Sequence, residues 1–242
     1  MRERDFKKEL DFFLEKIKRK EPFAFARYSD GEYMIMNSLN IDKGTQALDV
    51  DKWSFNLQNQ IFSKDLIKTL FHTEINYFYA IACPCCGLGV GLAEFYKRNL
   101  KCTEEEMTWS NLWINSNYES FINFIKKLDR KVNLLVNYEG EDKEYPFEVD
   151  KFFSIPDDCV NWYEKNREWI LQKMKEISKE DDQIFFVSAG PLSEILIHEM
   201  YLNNPNNQYI DTGSSLDIFV KGRITRPYQG EGSNFKNQKC LW

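Results

Sequence analysis

The stretch FARYSDGE, residues 25–32, sets two carboxylates, Asp30 and Glu32, on either side of a glycine and just after the guanidinium of Arg27. When the backbone turns between its members, such an Asp-x-Glu pair presents both side chains to one point. Oxygen ligands with that charge suit Mn2+ or Mg2+. An ion held there bridges protein carboxylates to a diphosphate and neutralises charge as the phosphate departs. Arg27 supplies a charge-assisted hydrogen bond to the same phosphate. The same residues also spell a helix start, with Ser29 or Asp30 as N-cap and Glu32 in the first turn, where the dipole favours it. The two readings are compatible, and three residues alone do not choose between them.

Other segments carry chemistry of related kinds. Ser188-Ala189-Gly190-Pro191 ends an apolar run with small residues ahead of a helical pattern, a place where backbone N–H groups face an anion or where a tight turn simply opens a helix. KGRITRPYQG, residues 221–230, gathers Lys221, Arg223 and Arg226 beside Tyr228; it reads as a phosphate-embracing patch or as a solvated basic face. WSNLWINSNY, residues 109–118, mixes Trp and Tyr with three Asn, a combination suited to stacking and hydrogen bonding with a sugar or base. Its Asn117 is a candidate substrate-binding residue, the alternative being a helix N-cap at Ser116 or Asn117. No G-x-x-x-x-G-K-[ST] and no G-x-S-x-G occurs. Gly87, Gly89 and Gly91 of CGLGVGL give the wrong register for a dinucleotide fingerprint, with Leu92 at the third glycine position.

Six cysteines are present: Cys83, Cys85, Cys86, Cys102, Cys159 and Cys240. CPCC hints at zinc, yet the paired C-x-x-C knuckles are missing and the only histidines are His72 and His198. The expectation is reduced, structural thiols and a cytoplasmic protein.

These residues need a scaffold. Apolar, β-branched runs predict strands near 23–28, in NYFYAIAC, KVNLLVNYE, part of FEVDKFFSIP, QIFFVS and QYIDTG. Helical spacing predicts helices at the N-terminus (amphipathic, within residues 1–20), from Gly31, through WSFNLQNQIFSKDLIKTLFH, and in GLAEFYKRNL and NYESFINFIKKLD. It predicts two more in CVNWYEKNREWILQKMKEISK and LSEILIHEMYLN. QIFFVS, LSEILIHEMYLN and QYIDTG form a strand–helix–strand unit whose short links favour a parallel pair. The alternation predicts one α/β domain over 1–242, a three-layer fold with a mostly parallel sheet, and a C-terminal tail over 220–242. Ligands bind such sheets at the carboxyl ends of the strands. Ser29–Glu32, Cys83–Cys86, Ser188–Pro191 and Asp211–Ser215 would then meet on one rim.

Composition narrows the partners. The 242 residues are 43% hydrophobic and 15% aromatic, enough for a packed core. Thirty-two basic against 38 acidic residues give a net charge of −6, which argues against a nucleic-acid surface. No run is long and apolar enough to predict a transmembrane segment.

Taken in order, FARYSDGE, VSAGPLSEILIHEMY and YIDTGSSLDIF…GRITRPY resemble the GT-D type glycosyltransferases and their bacterial and viral relatives, a family first described as a domain of unknown function. The likeness runs as ordered blocks from about residue 20 to 230. It implies a Rossmann-like fold of the GT-D type. It also implies transfer of a sugar from a nucleotide-sugar donor, typically a UDP-sugar, to a glycan or glycoconjugate acceptor. The family's D-x-E motif, which engages a divalent cation and the donor diphosphate, lands on Asp30 and Glu32, and the preceding Arg lands on Arg27. The resemblance places Ser188, Ala189 and Gly190 at the nucleotide side and adds Asp211 and Ser214. Arg226 sits in the last block. Asp211 and Asp217 are the candidate general bases. The rival functions are a non-catalytic nucleotide-sugar-binding protein and a metal phosphohydrolase or nuclease.

Overall fold

The computed structural model describes residues 4–42, 52–72, 74–86 and 89–242. In chain order the strands are β1 (Phe23–Tyr28), β2 (Ile41–Asp42), β3 (Ser54–Phe55), β4 (Tyr77–Ile81), β5 (Met107–Trp109), β6 (Val132–Asn137), β7 (Val149–Ile155), β8 (Ile184–Ser188) and β9 (Gln208–Asp211). The helices are α1 (Phe6–Lys18), α2 (Asp30–Met36), α3 (Gln60–Lys68), α4 (Gly89–Asn99), α5 (Tyr118–Ile125), α6 (Cys159–Ile177), α7 (Ser193–Asn203) and α8 (Asp217–Val220). Short 3-10 turns link them.

Seven strands form one sheet in the order β5-β4-β1-β9-β8-β6-β7, and every pairing in it is parallel. β2 and β3 make a separate antiparallel pair. The central strands are apolar on both faces because each face is covered. On β1, Ala24, Ala26 and Tyr28 join one core with residues of α3, α6 and α7. Phe23 and Phe25 join the other with Phe13 of α1 and Phe121 of α5. Phe13 meets Phe25 and Phe78 edge-on at 5.1 and 4.9 Å. The expected three-layer α/β fold is therefore present.

Two local expectations change. The helix expected across 53–72 is confined to α3 and the 3-10 turn after it. Asn side chains explain why: Asn59 Oδ1 accepts from Asn56 N at 2.9 Å and Asn56 Oδ1 from Gln58 N at 2.8 Å. These bonds hold a turn that competes with helix. Residues 220–242 are a packed part of the domain rather than a tail. Tyr228 and Cys240 are buried, and Trp242 meets Trp109 edge-on at 5.1 Å.

The topology opens a crevice at β9. After β1 and β8 the chain passes into α2 and α7, on one face of the sheet. After β9 it turns to the other face, where Leu216 and Val220 pack with α1 and α5. Neighbouring strands whose continuations diverge leave a gap outside their carboxyl ends.

Candidate functional site

That gap is a cleft of about 250 Å³ lined by Arg27, Ser29, Asp30, Gly31, Glu32, Trp53, Ser188, Gly190, Pro191, Ser193, Glu194, Asp211, Gly213, Ser214, Asp217 and Arg226. It gathers most of the residues singled out in the sequence from the ends of β1, β8 and β9.

Asp30 and Glu32 open α2. Ser29 N donates to Glu32 Oε2 at 2.8 Å, so the helix-cap reading holds alongside any ligand role. Arg27, the penultimate residue of β1, is held on two sides. Its Nε donates to Ser110 O at 2.6 Å, and its Nη1 lies 3.7 Å from Asp211 Oδ1. Gly213 makes room for it. With φ at +48°, Gly213 sits so close that a Cβ there would lie 1.4 Å from Arg27 Nη1. Its N–H donates to Asp211 Oδ1 at 2.7 Å, fixing the carboxylate that faces Arg27.

The wall opposite comes from residues 213–229. Ser214 Oγ and Tyr228 Oη share a hydrogen bond of 2.6 Å, and Gln229 Nε2 donates to Ser214 O at 2.9 Å. Thr225 Oγ1 donates to Asp217 Oδ2 at 2.7 Å. This clasp carries Arg226 to the cleft. The other two cations of the basic patch lie elsewhere: Lys221 pairs with Glu139 at 3.1 Å beside an adjoining small cavity, and Arg223 is exposed.

No family model matches the chain, and no curated protein matches it. Solved structures do. The highly conserved domain of unknown function 1792, described as having a distinct glycosyltransferase fold, aligns at a TM-score of 0.59 and 15% identity, over 90% of this chain and 82% of that one. Its selenomethionine-substituted structure gives the same values. A protein described as a new glycosyltransferase (DUF1792) from Streptococcus sanguinis aligns at 0.59 and 14% identity, over 90% and 85%. This chain has the DUF1792 fold. The GT-D resemblance read from the sequence blocks is thus matched in three dimensions.

Within the DUF1792 fold, two sequence-predicted residues leave the site. Asn117 is 1% exposed, and its Nδ2 donates to Phe6 O at 3.0 Å and Leu112 O at 3.1 Å. It ties α1 to the 109–118 loop. That loop is scaffold rather than a recognition surface: Trp109 and Trp113 are buried, and Trp113 Nε1 donates to Asp211 O at 3.0 Å. Ala189 faces only the adjoining cavity, and its N–H is spent on Ser193 Oγ at 3.0 Å rather than left for an anion. Gly87 lies outside the described residues. His198 is half-buried, packs against His72 at 5.4 Å and does not line the cleft.

Two residues that sequence reasoning missed complete the cleft. Trp53 covers Gly31 and Gly190, lying 3.2 and 3.3 Å from where their Cβ atoms would be. Glu194 is buried in the first turn of α7, with Oε2 lacking any hydrogen-bond partner. α7 is apolar nearly all round and buried, so its one early acid is forced inward. A glutamate directly after a small-residue turn at a strand end was the available signal.

The cleft concentrates negative charge. Burial pushes the Glu32 carboxyl up to about 7, with Asp30 adding to the rise and Arg27 opposing it. Glu194 is pushed well above the carboxylate range by burial and then by the charges of Glu32 and Asp211. Asp211 is raised by burial and pulled back by Arg27. Burial of Glu194 and Asp211 beside each other thus holds both carboxyls above their ordinary values. A surplus of carboxylates with an unpartnered buried oxygen fits a divalent cation. Asp30 and Glu32 bring two carboxylates rather than a full cage, as suits an ion that keeps waters and takes substrate oxygens.

Proposed function

We propose that the protein is a metal-dependent glycosyltransferase that moves a sugar from a nucleotide-sugar donor, with a UDP-sugar as the first candidate, to a hydroxyl of a glycan or glycoconjugate. The observation that carries the reading is the convergence of Arg27, Asp30, Glu32, Glu194 and Asp211 in one cleft at the carboxyl ends of β1, β8 and β9. The likeness in fold to proteins described as glycosyltransferases supports it. The donor and its enzyme belong in the cytoplasm on this reading.

Asp30 and Glu32 would hold Mn2+ or Mg2+, which supplies Lewis-acid stabilisation of the departing diphosphate when bound. The chain's own groups do the rest. Arg27 and Arg226 bind phosphate oxygens; Arg27 is held by Ser110 O and Asp211 before the ligand arrives, so little reorganisation is needed. Ser188, Gly190 and Ser214 line the path of the nucleotide, and Trp53 offers a face to the sugar or base. Asp211, oriented by Gly213 N and facing Arg27, accepts the proton of the acceptor hydroxyl as the new glycosidic bond forms and the sugar–phosphate bond breaks.

Calorimetric titration of UDP and UDP-sugars, with Mn2+ and with chelator, tests this on the wild type and Asp30→Asn. The expected result is Mn2+-dependent binding that Asp30→Asn abolishes, followed by acceptor-dependent release of UDP. Binding without turnover on any acceptor would make the chain a nucleotide-sugar-binding protein. Metal-dependent release of inorganic phosphate would make it a phosphohydrolase. No nucleotide binding at all would return Asp30 and Glu32 to a helix cap.

A further inference from the structure

At the far end of the same rim, the structure gathers four sulfurs that the sequence keeps apart. Cys83 follows β4, Cys85 and Cys86 occupy the turn after it, and Cys240 arrives 154 residues beyond Cys86. All four are free thiols, and their Sγ atoms lie within 4.8 Å of one another. Cys83–Cys85 is 3.3 Å, Cys85–Cys86 is 3.8 Å and Cys86–Cys240 is 3.8 Å. Among the described residues this is the one group of three or more potential metal ligands so close together. We propose that Cys83, Cys85, Cys86 and Cys240 bind one Zn2+ as a closed tetrathiolate site.

The spacing decides for a single ion. Four sulfurs about 2.3 Å from a tetrahedral zinc stand about 3.8 Å from each other. A multi-iron cluster would spread them farther apart, and a disulfide would draw one pair to about 2 Å. The surroundings are those of thiolates. Leu241 N donates to Cys85 Sγ at 3.2 Å, Gln238 Nε2 to Cys86 Sγ at 3.4 Å and Asn115 Nδ2 to Cys240 Sγ at 3.5 Å. Asn111 Nδ2 faces Cys83 and Cys240 at 3.8 and 4.0 Å. A neutral thiol is a weak acceptor, whereas metal-bound sulfur is normally surrounded by such donors. On binding, four thiols release four protons and the site carries two negative charges. No position is left open for substrate, so the role is structural.

The ion would pin the C-terminal segment to the β4 turn beside the Trp109 Nε1 to Leu241 O bond of 2.9 Å. Between that anchor and Arg226 lies the stretch carrying Tyr228, which clasps Ser214 at the cleft. Zinc would thus brace one wall of the site without touching the ligand.

The test is metal analysis and zinc-edge X-ray absorption on the full chain, purified under reducing conditions without chelator. One zinc per chain with four sulfur neighbours is expected. Cobalt substitution should give sulfur-to-cobalt charge-transfer absorption. Cys240→Ser and Cys86→Ser should lose most of the zinc, while Cys102→Ser, outside the cluster, keeps it. Wild-type protein with no zinc and four freely titrating thiols would overturn the proposal, as would iron in its place or a disulfide among the four. Zinc with nitrogen or oxygen neighbours, or full retention by Cys240→Ser, would overturn the four-ligand assignment. The absorption measurement on wild type stands even if a serine variant does not fold.

Discussion

Glu32→Gln should stabilise the metal-free protein while removing its metal-supported donor binding. In the native state the Glu32 carboxyl stays protonated up to about pH 7, against 4.5 for the free side chain, because burial penalises the charge. That difference corresponds to about 3 kcal/mol. Below pH 4.5 the carboxyl is protonated in both native and unfolded chains and contributes nothing. Between 4.5 and about 7 the native state holds the extra proton, so stability falls as pH rises, and above 7 the whole cost is present. Glutamine cannot ionise, yet its amide oxygen still accepts from Ser29 N, so the helix start survives. The variant should therefore exceed wild type by up to about 3 kcal/mol near pH 8, roughly 6–12 °C in Tm for a chain of this size, and the gap should close towards pH 4. Denaturant unfolding followed by tryptophan fluorescence, at both ends of that range and with chelator, reads it. Glu194 and Asp211 tilt both curves in the same sense, so the difference between the proteins is the quantity to compare. A variant no more stable than wild type near pH 8, or a gap independent of pH, would refute the buried-charge reasoning. The pattern expected is that of a functional acid held at a cost in stability.

Gly213→Ala should displace Arg27, since its Cβ would overlap the guanidinium and its φ of +48° is unfavourable for a side chain. We expect a loss of about 1–3 kcal/mol in stability together with loss of nucleotide binding by calorimetry; retained binding would show that Arg27 is not needed where it stands. Asn117→Ala should cost about 1–3 kcal/mol, because it strands the carbonyls of Phe6 and Leu112, yet leave nucleotide affinity unchanged. A selective loss of affinity would restore Asn117 to the binding site.

What the sequence determined by itself is local. Doubly apolar runs such as FYAI and IFFV announce strands covered on both faces, because a parallel sheet between helices has no wet side. The D-G-E pair is legible because its members are two residues apart and share one turn. The strand-end rule was enough to bring Asp211, Ser214 and Ser188 to the same rim, since it depends only on strand direction. Tertiary structure decided which polar groups face inward to water and which face inward to protein. Asn117 and Glu194 look alike in a string, each a polar residue near a helix start. Packing buries Asn117 under α1 against two carbonyls and aims Glu194 into the cleft. The same holds for sulfur. CPCC lacks a partner motif in the sequence, and Cys240 becomes its fourth member only because residues 227–242 fold back over the β4 turn. Periodicity follows from the backbone geometry of neighbouring residues, whereas a contact across 154 positions is chosen by the whole packed chain.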